Sequence, residues 1–398
     1  MNVFYMILLL IPTLNVLWWW WAGRRLARAG APRWTRAALA AFVLLHLAGY
    51  AWVILSRRGG VGVPPPMPVL ATVYVWCMVV LPLTCVGTVA VMSGEGVLAA
   101  WRWLQRRWGV AVEPARVNQS RRRALASMAL VGAPVAAHAG ALAEGLASLG
   151  TVRTRAFEVP IRDLPRELEG FCIAHVSDTH VGRFTRGAAL RGIADTVNAM
   201  SPDLVVLTGD LIDYTTADLP EAISFLRSLR STRGLALCEG NHDLFEGVEV
   251  FRRGVRDAGL NLLTNESMIV PVGSAAVQVL GIAWGARRGA EAADHVARVA
   301  RLREPGTVPI LLAHHPHAFD AAAETAIPLT LAGHTHGGQL MLTDRLGAGP
   351  AIFKYWSGLY QRGASSLVVS NGAGNWFPLR VNAPAEVATV TLRRAEVG

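Results

Sequence analysis

The chain has 398 residues, is 52% hydrophobic and carries a formal net charge of +10, long enough for more than one domain. The positive charge does not mark a nucleic-acid binder: before Ala124 the only acidic residues are Glu95 and Glu113, and arginines cluster between long uncharged runs, the pattern that membrane topology produces. Four cysteines without CxxC spacing exclude a zinc knuckle and a redox motif; buried thiols are expected, with a Cys172–Cys238 disulfide left open.

In chain order, residues 3–22 form the first uncharged run, long enough to cross a bilayer core of about 30 Å. It ends in Trp18, Trp19, Trp20 and Trp21, which suit the interface, and Arg24, Arg25, Arg28, Arg33 and Arg36 follow. Further spans are expected at 37–55, at 69–92 with a kink at Pro82, and, more weakly because it is rich in Ala and Gly, at 124–143. His46 lies inside the second span; such a group is either functional or bonded to a neighbouring helix. Residues 101–108, basic and aromatic together, read as an interfacial helix or a juxtamembrane linker.

Loops rich in arginine stay in the cytoplasm. The connection after the first span and the segment before the fourth are the rich ones, whereas the loop after the second has only Arg57 and Arg58. This places the N-terminus and everything beyond the fourth span outside. Ser120–Arg121–Arg122 resembles a twin-arginine export signal, with Ala124 where an aromatic residue is usual, and Ala137–His138–Ala139 resembles a cleavage site; an uncleaved anchor is expected. The division is then a membrane region, 1–150, and a soluble domain, 151–398.

In the soluble half, residues 171–176, 204–208, 235–238, 277–280, 309–313 and 327–332 read as buried strands, and 186–200 and 219–229 as helices between them. The alternation implies an α/β sheet covered on both faces, and residues 365–390 read as strand-rich. Polar clusters follow five of the strands: Asp178 and His180; Asp210 and Asp213; Asn241, His242 and Asp243; His314 and His315; His334 and His336. Each alone is ordinary turn or cap chemistry. Five at strand ends converge on one crevice. In an extended segment, His334 and His336 would point to one side.

The five blocks, SDTH, GDLID, GNHD, AHHP and GHTH, resemble in their order the calcineurin-like metallophosphoesterase superfamily. GHTHGGQ and the late run SNGAG…FPLRVNAPAE resemble its branch of membrane-associated or exported bacterial enzymes, some of which act on phospholipid-like or UDP-diacylglucosamine substrates. The resemblance implies a layered β-sandwich flanked by helices (αββα). It also implies a first metal held by Asp178, His180 and His336, a second held by Asn241, His314 and His334, and Asp210 bridging both. His242 would assist at the scissile phosphate, oriented by Asp213 or Asp243.

Two divalent ions about 3.5–4 Å apart acidify a shared water and clamp both oxygens of an in-line displacement; N/O donors without thiolate suit Mn, Fe or Zn. The expected function is a membrane-anchored phosphohydrolase acting on a phosphoester or pyrophosphate, with a lipid-linked phosphate as candidate substrate and no nucleic-acid partner. The competing class is a membrane sensor that binds metal or ligand without turnover. Residues 351–356 supply a loop near the site, and their Lys354, the only lysine, is a candidate phosphate contact. The Gly337–Gly338 turn is expected to admit the phosphate close to the backbone.

Overall fold

The computed structural model describes residues 3–57, 65–108, 118–284, 290–343 and 345–395; Arg58 and Glu113 lie outside them. The chain divides into two compact units, Met1–Leu146 and Ala147–Gly398.

The first unit is helical. Val3–Arg28 and Arg33–Arg57 are followed by Met67–Val75, which runs through a π-helical turn, Trp76–Val80, into Leu81–Arg107. Pro82 is the second residue past that turn, in the first turn of the segment that follows. Gln119–Ser127 likewise continues through a π turn, Met128–Gly132, into Ala133–Ser148. Among the described residues, Arg33–Ser56, Met67–Arg107 and Ser120–Ser148 are long and apolar enough to cross a membrane. Leu45, Leu83, Val86 and Val97 point outward, as on a surface that meets lipid rather than water.

Among the described residues, the second unit has twelve strands: β1 (Arg153–Ile161), β2 (Cys172–Val176), β3 (Leu204–Thr208), β4 (Leu235–Cys238), β5 (Asn261–Leu262), β6 (Glu266–Val272), β7 (Ala275–Gly281), β8 (Thr307–Leu312), β9 (Leu329–Ala332), β10 (Gly358–Arg362), β11 (Ser365–Val369) and β12 (Glu386–Arg394). They form two six-stranded sheets, ordered β1-β12-β2-β3-β4-β5 and β10-β11-β9-β8-β7-β6. The covered sheet read from strand–helix alternation is therefore two sheets, and the layered β-sandwich that the resemblance implies is the fold found. After β5 the chain turns into the β6–β7 antiparallel hairpin and starts a second sheet, a change that strand–helix alternation does not reveal.

Side-chain alternation builds the layers. Leu204 and Val206 of β3 meet Ile310 and Leu312 of β8 in the core between the sheets. Val205 and Leu207 point the other way, against Ile193 and Val197 of the helix Ala188–Ala199 and Phe225 of the helix Leu219–Ser228. Leu311 faces the helices Ala290–Ala300 and Ala318–Glu324. The order is thus helix, sheet, sheet, helix, and each fully buried aliphatic side chain contributes about 1.5–3 kcal/mol to it. All four cysteines are free thiols. Cys172 and Cys238 lie on β2 and β4 with β3 between them, roughly two strand spacings of about 4.8 Å apart and beyond disulfide reach.

Candidate metal centre

β2, β3 and β4 run parallel and deliver Asp178, Asp210 and Asn241 just past their carboxyl ends; β8 and β9, parallel in the other sheet, deliver His314, His334 and His336. The turns are sharp. Asp178, His180, Asp210, His334 and His336 all have positive φ, 51°, 45°, 52°, 72° and 49°, a region that side-chain-bearing residues avoid and that costs of order 1–3 kcal/mol each. Gly240 is required here, because a Cβ would collide with the Asp210 side chain and backbone.

Two clusters result, with Asp210 between them. In one, His180 Nε2 lies 3.1 Å from His336 Nε2, and Asp178 Oδ1 is 3.3 Å from His336 Nε2. In the other, His314 Nε2 lies 3.2 Å from His334 Nδ1. Asp210 Oδ2 is 3.1 Å from His314 Nε2 and 3.6 Å from His180 Nε2. His334 and His336 therefore diverge. They stand on a turn rather than a strand, since His336–Gly338 forms a single 3-10 turn.

Hydrogen bonds set the donors. His314 Nδ1 donates to the Thr208 carbonyl at 2.7 Å, which leaves Nε2 its lone pair. The Asp178 carboxylate accepts from Ser177 Oγ and from the His334 backbone N–H. His242 donates from its backbone N–H to Asp210 Oδ1 at 2.8 Å and from Nδ1 to the Asp213 carbonyl at 2.5 Å. The Asp213 carboxylate stands 3.6 Å from both His242 Nδ1 and His180 Nδ1. Asp243 instead ties loops together, accepting from the backbone N–H groups of Ile212 and Gly240. Of the two carboxylates considered for His242, Asp213 makes the contact.

The fields are strong. Burial would raise Asp210, but His314, His242 and His180 hold it well below the carboxylate range. Burial pushes Asp178 up and, with Asp210, takes Asp243 up to about 7. Burial would lower His314 and His242, yet Asp210 raises both to about 9, with Asp213 helping His242. Burial, then His314, brings His334 down to about 3; burial, then Arg380, takes His336 well below the usual imidazole range.

These residues fit divalent ions. Donors about 2.1 Å from one ion stand roughly 3.0–3.4 Å apart, the spacing of His336 to His180 and Asp178 and of His314 to His334 and Asp210, while Asp178 and His180 stand wider at 3.9 Å. Asn241 Oδ1 is buried with no hydrogen-bond partner among the described residues, an atom that needs a cation or a donor. Asp178, His180 and His336 form one three-donor grouping, Asp210, His314 and His334 another, and His180, Asp210 and His242 a third that links them.

Several neighbours escaped the sequence reading. Arg380, fully buried, donates from Nε to Asn375 Oδ1, from Nη1 to the Asn371 carbonyl and from Nη2 to the Gly374 carbonyl and His336 Nδ1; an arginine inside the apolar FPLRV run was its only signal. Trp284 lies 5.3 Å from His314 and 5.4 Å from His334 between ring centroids, and its backbone N–H is held by Glu239, itself bidentate with Arg252 at 2.7 Å. Lys354 pairs with Asp320 at 2.8 Å, so it is not poised on the site. His315 and His317 face each other, Nδ1 to Nδ1, at 3.0 Å and join no metal grouping among the described residues. Gly337 and Gly338 serve packing: a Cβ on them would meet Asn371 at 2.5 Å and the Gly349 backbone at 2.6 Å.

A helix-covered double sheet that gathers Asp, His and Asn at its strand ends is a metal-binding α/β domain of the phosphoesterase type. The calcineurin-like phosphoesterase family model matches residues 172–338. The chain is 34% identical over 252 residues, 62% of its length, to the uncharacterized metallophosphoesterase Cj0846 of Campylobacter jejuni, and 30% identical over 247 residues to the uncharacterized metallophosphoesterase YkuE of Bacillus subtilis, spanning 82% of the latter. It is 30% identical over 249 residues to a transmembrane protein with metallophosphoesterase domain of Danio rerio, covering 60% of this chain and 56% of that one. The alignments span 64% of the Campylobacter protein and 65% of a Helicobacter pylori relative. The chain belongs to the calcineurin-like phosphoesterase family.

Proposed function

We propose that the chain is a membrane-anchored phosphohydrolase that uses two divalent ions to cleave a phosphoester or pyrophosphate, with its sandwich outside the cytoplasm. The observation that carries this reading is Asp210, whose carboxylate faces both imidazole clusters, 3.1 Å from His314 and 3.6 Å from His180. Asp178, His180 and His336 hold one ion, and Asn241, His314 and His334 the other. Bound there, the ions supply an acidified water and neutralise charge on the phosphoryl oxygens. His242, fixed through Nδ1 by Asp213, turns its other ring nitrogen to the leaving oxygen and hydrogen-bonds it as charge develops. Trp284 and Phe353, whose rings approach His334, exclude water on one side.

A lipid-linked substrate is the class we favour. Leu342, Leu346 and Ile352 are largely exposed on the segment that follows the His336–Gly338 turn, and half-exposed Phe245 packs its ring 4.6 Å from His242; apolar groups beside a phosphate site suit an amphiphile. The test is hydrolysis by the purified full chain of a chromogenic phosphodiester, a nucleotide-sugar lipid and a phospholipid, before and after metal removal. Metal-dependent turnover supports the proposal; metal binding without turnover of any substrate assigns the chain to the sensor class.

A further inference from the structure

The membrane unit buries a second polar cluster for which the phosphoesterase reading has no use. Asn15, His46, Trp76 and His138 come from four separate helical segments. His46 Nε2 stands 3.3 Å from His138 Nε2, and Trp76 Nε1 donates to Asn15 Oδ1 at 2.8 Å. The rings of Phe42 and Trp76 close around the pair, 4.3 and 5.2 Å from His46 and 5.9 and 5.8 Å from His138. The histidines are only 2% and 6% exposed. One π-helical turn begins at Trp76 and another ends six residues before His138; such turns often occur at functional positions.

The pair has the geometry of the imidazole pairs in the metal centre, where the facing nitrogens are 3.1 and 3.2 Å apart. His46 is prepared as His314 is. Its Nδ1 donates to the Phe42 carbonyl at 2.8 Å, so its lone pair is on Nε2, toward His138. His138 Nδ1 is buried with no hydrogen-bond partner among the described residues. Without a cation, His138 Nε2–H donates to His46. When a cation enters, that proton moves to Nδ1, both Nε2 lone pairs face the ion, and no proton leaves the site.

We propose that His46 and His138 form a metal site inside the membrane unit for a monovalent, imidazole-binding transition-metal ion of the Cu(I) class. Charge selects the ion. No third His, Cys, Asp or Glu joins the pair in a metal grouping among the described residues. A dication enclosed by apolar rings needs carboxylates to offset its lost hydration, as in the sandwich, whereas a monocation held by two neutral imidazoles carries a far smaller desolvation cost.

The experiment uses the full chain in lipid nanodiscs with its catalytic centre first filled with Mn(II). Cu(I) is titrated anaerobically against a chromogenic chelator for the wild type, His46→Phe and His138→Phe. The expected result is one more Cu(I) per chain in the wild type than in either variant, with phosphodiester turnover equal in all three. Equal copper uptake by all three overturns the proposal and leaves a histidine–histidine hydrogen bond; uptake of Zn(II) in preference overturns the choice of ion. Should the variants fail to fold, X-ray absorption of the copper-loaded wild type decides: two nitrogen donors at low coordination support the site, and sulfur or higher coordination overturns it.

Discussion

The two sheets of the sandwich contribute unlike halves of one site. The sheet containing β2, β3 and β4 supplies the carboxylates and the amide, Asp178, Asp210 and Asn241, together with His180 and His242; the sheet containing β8 and β9 supplies only imidazoles, His314, His334 and His336. His180, Asp210 and His242 group within the first sheet, but the other two groupings cross between the sheets: Asp178 and His180 meet His336, and Asp210 meets His314 and His334. The apolar layer between the sheets is thus part of the site's construction, because it sets the distance across which carboxylate meets imidazole. The family's sequence order, three blocks and then two, is the order of the sheets.

The contrast can be broken most severely at Asp210, the side chain facing both clusters. Asp210→Asn keeps the shape and removes the charge; we expect turnover to fall by roughly 10³-fold or more, as for loss of a group stabilising charge in the transition state, and divalent-ion content measured by mass spectrometry to fall with it. Next comes the layer that holds the sheets together. Ile310, 1% exposed in the intersheet core, should cost about 2–5 kcal/mol as Ile310→Ala, read as a lower denaturant midpoint at unchanged slope, without removing a single donor.

Two smaller changes separate the halves. Arg380→Lys breaks the guanidinium fork that ties the His336 ring to the Asn371 and Gly374 carbonyls; metal affinity should drop about 10- to 100-fold in the cluster of Asp178, His180 and His336, while the cluster of Asp210, His314 and His334 keeps its affinity in a two-step titration. Asp213→Asn keeps the backbone carbonyl that holds His242 but removes the carboxylate charge 3.6 Å from His242 and His180; kcat should fall about 10- to 100-fold, with metal affinity falling too in the cluster that contains His180. Lys354→Ala, at an exposed pair with Asp320, should change turnover less than about twofold and stability by about 0–1 kcal/mol.

Legibility followed burial. Leu204–Thr208 and Leu235–Cys238 were readable to the residue, because an uninterrupted apolar run bounded by Gly or charge has few alternatives. β1 and β6, whose alternate residues are exposed, and two-residue β5 were not read as strands; β1 is made by pairing with β12, more than two hundred residues away. Which strands share a sheet was likewise invisible, since no local signal marks the change of layer at β6. At the site, the blocks named the residues, but their left-handed backbones, the choice of Asp213 over Asp243 for His242, and the guanidinium behind His336 all arise from contacts between distant loops.

The central claim is a centre that needs both clusters filled, and it is tested most directly by metal reconstitution. The full chain, stripped by chelator, is titrated with Mn(II) while bound ions per chain and phosphodiester turnover are measured together. The account predicts little turnover at one ion per chain and full turnover at two. Full activity at one ion, or two ions bound with no turnover, would contradict it.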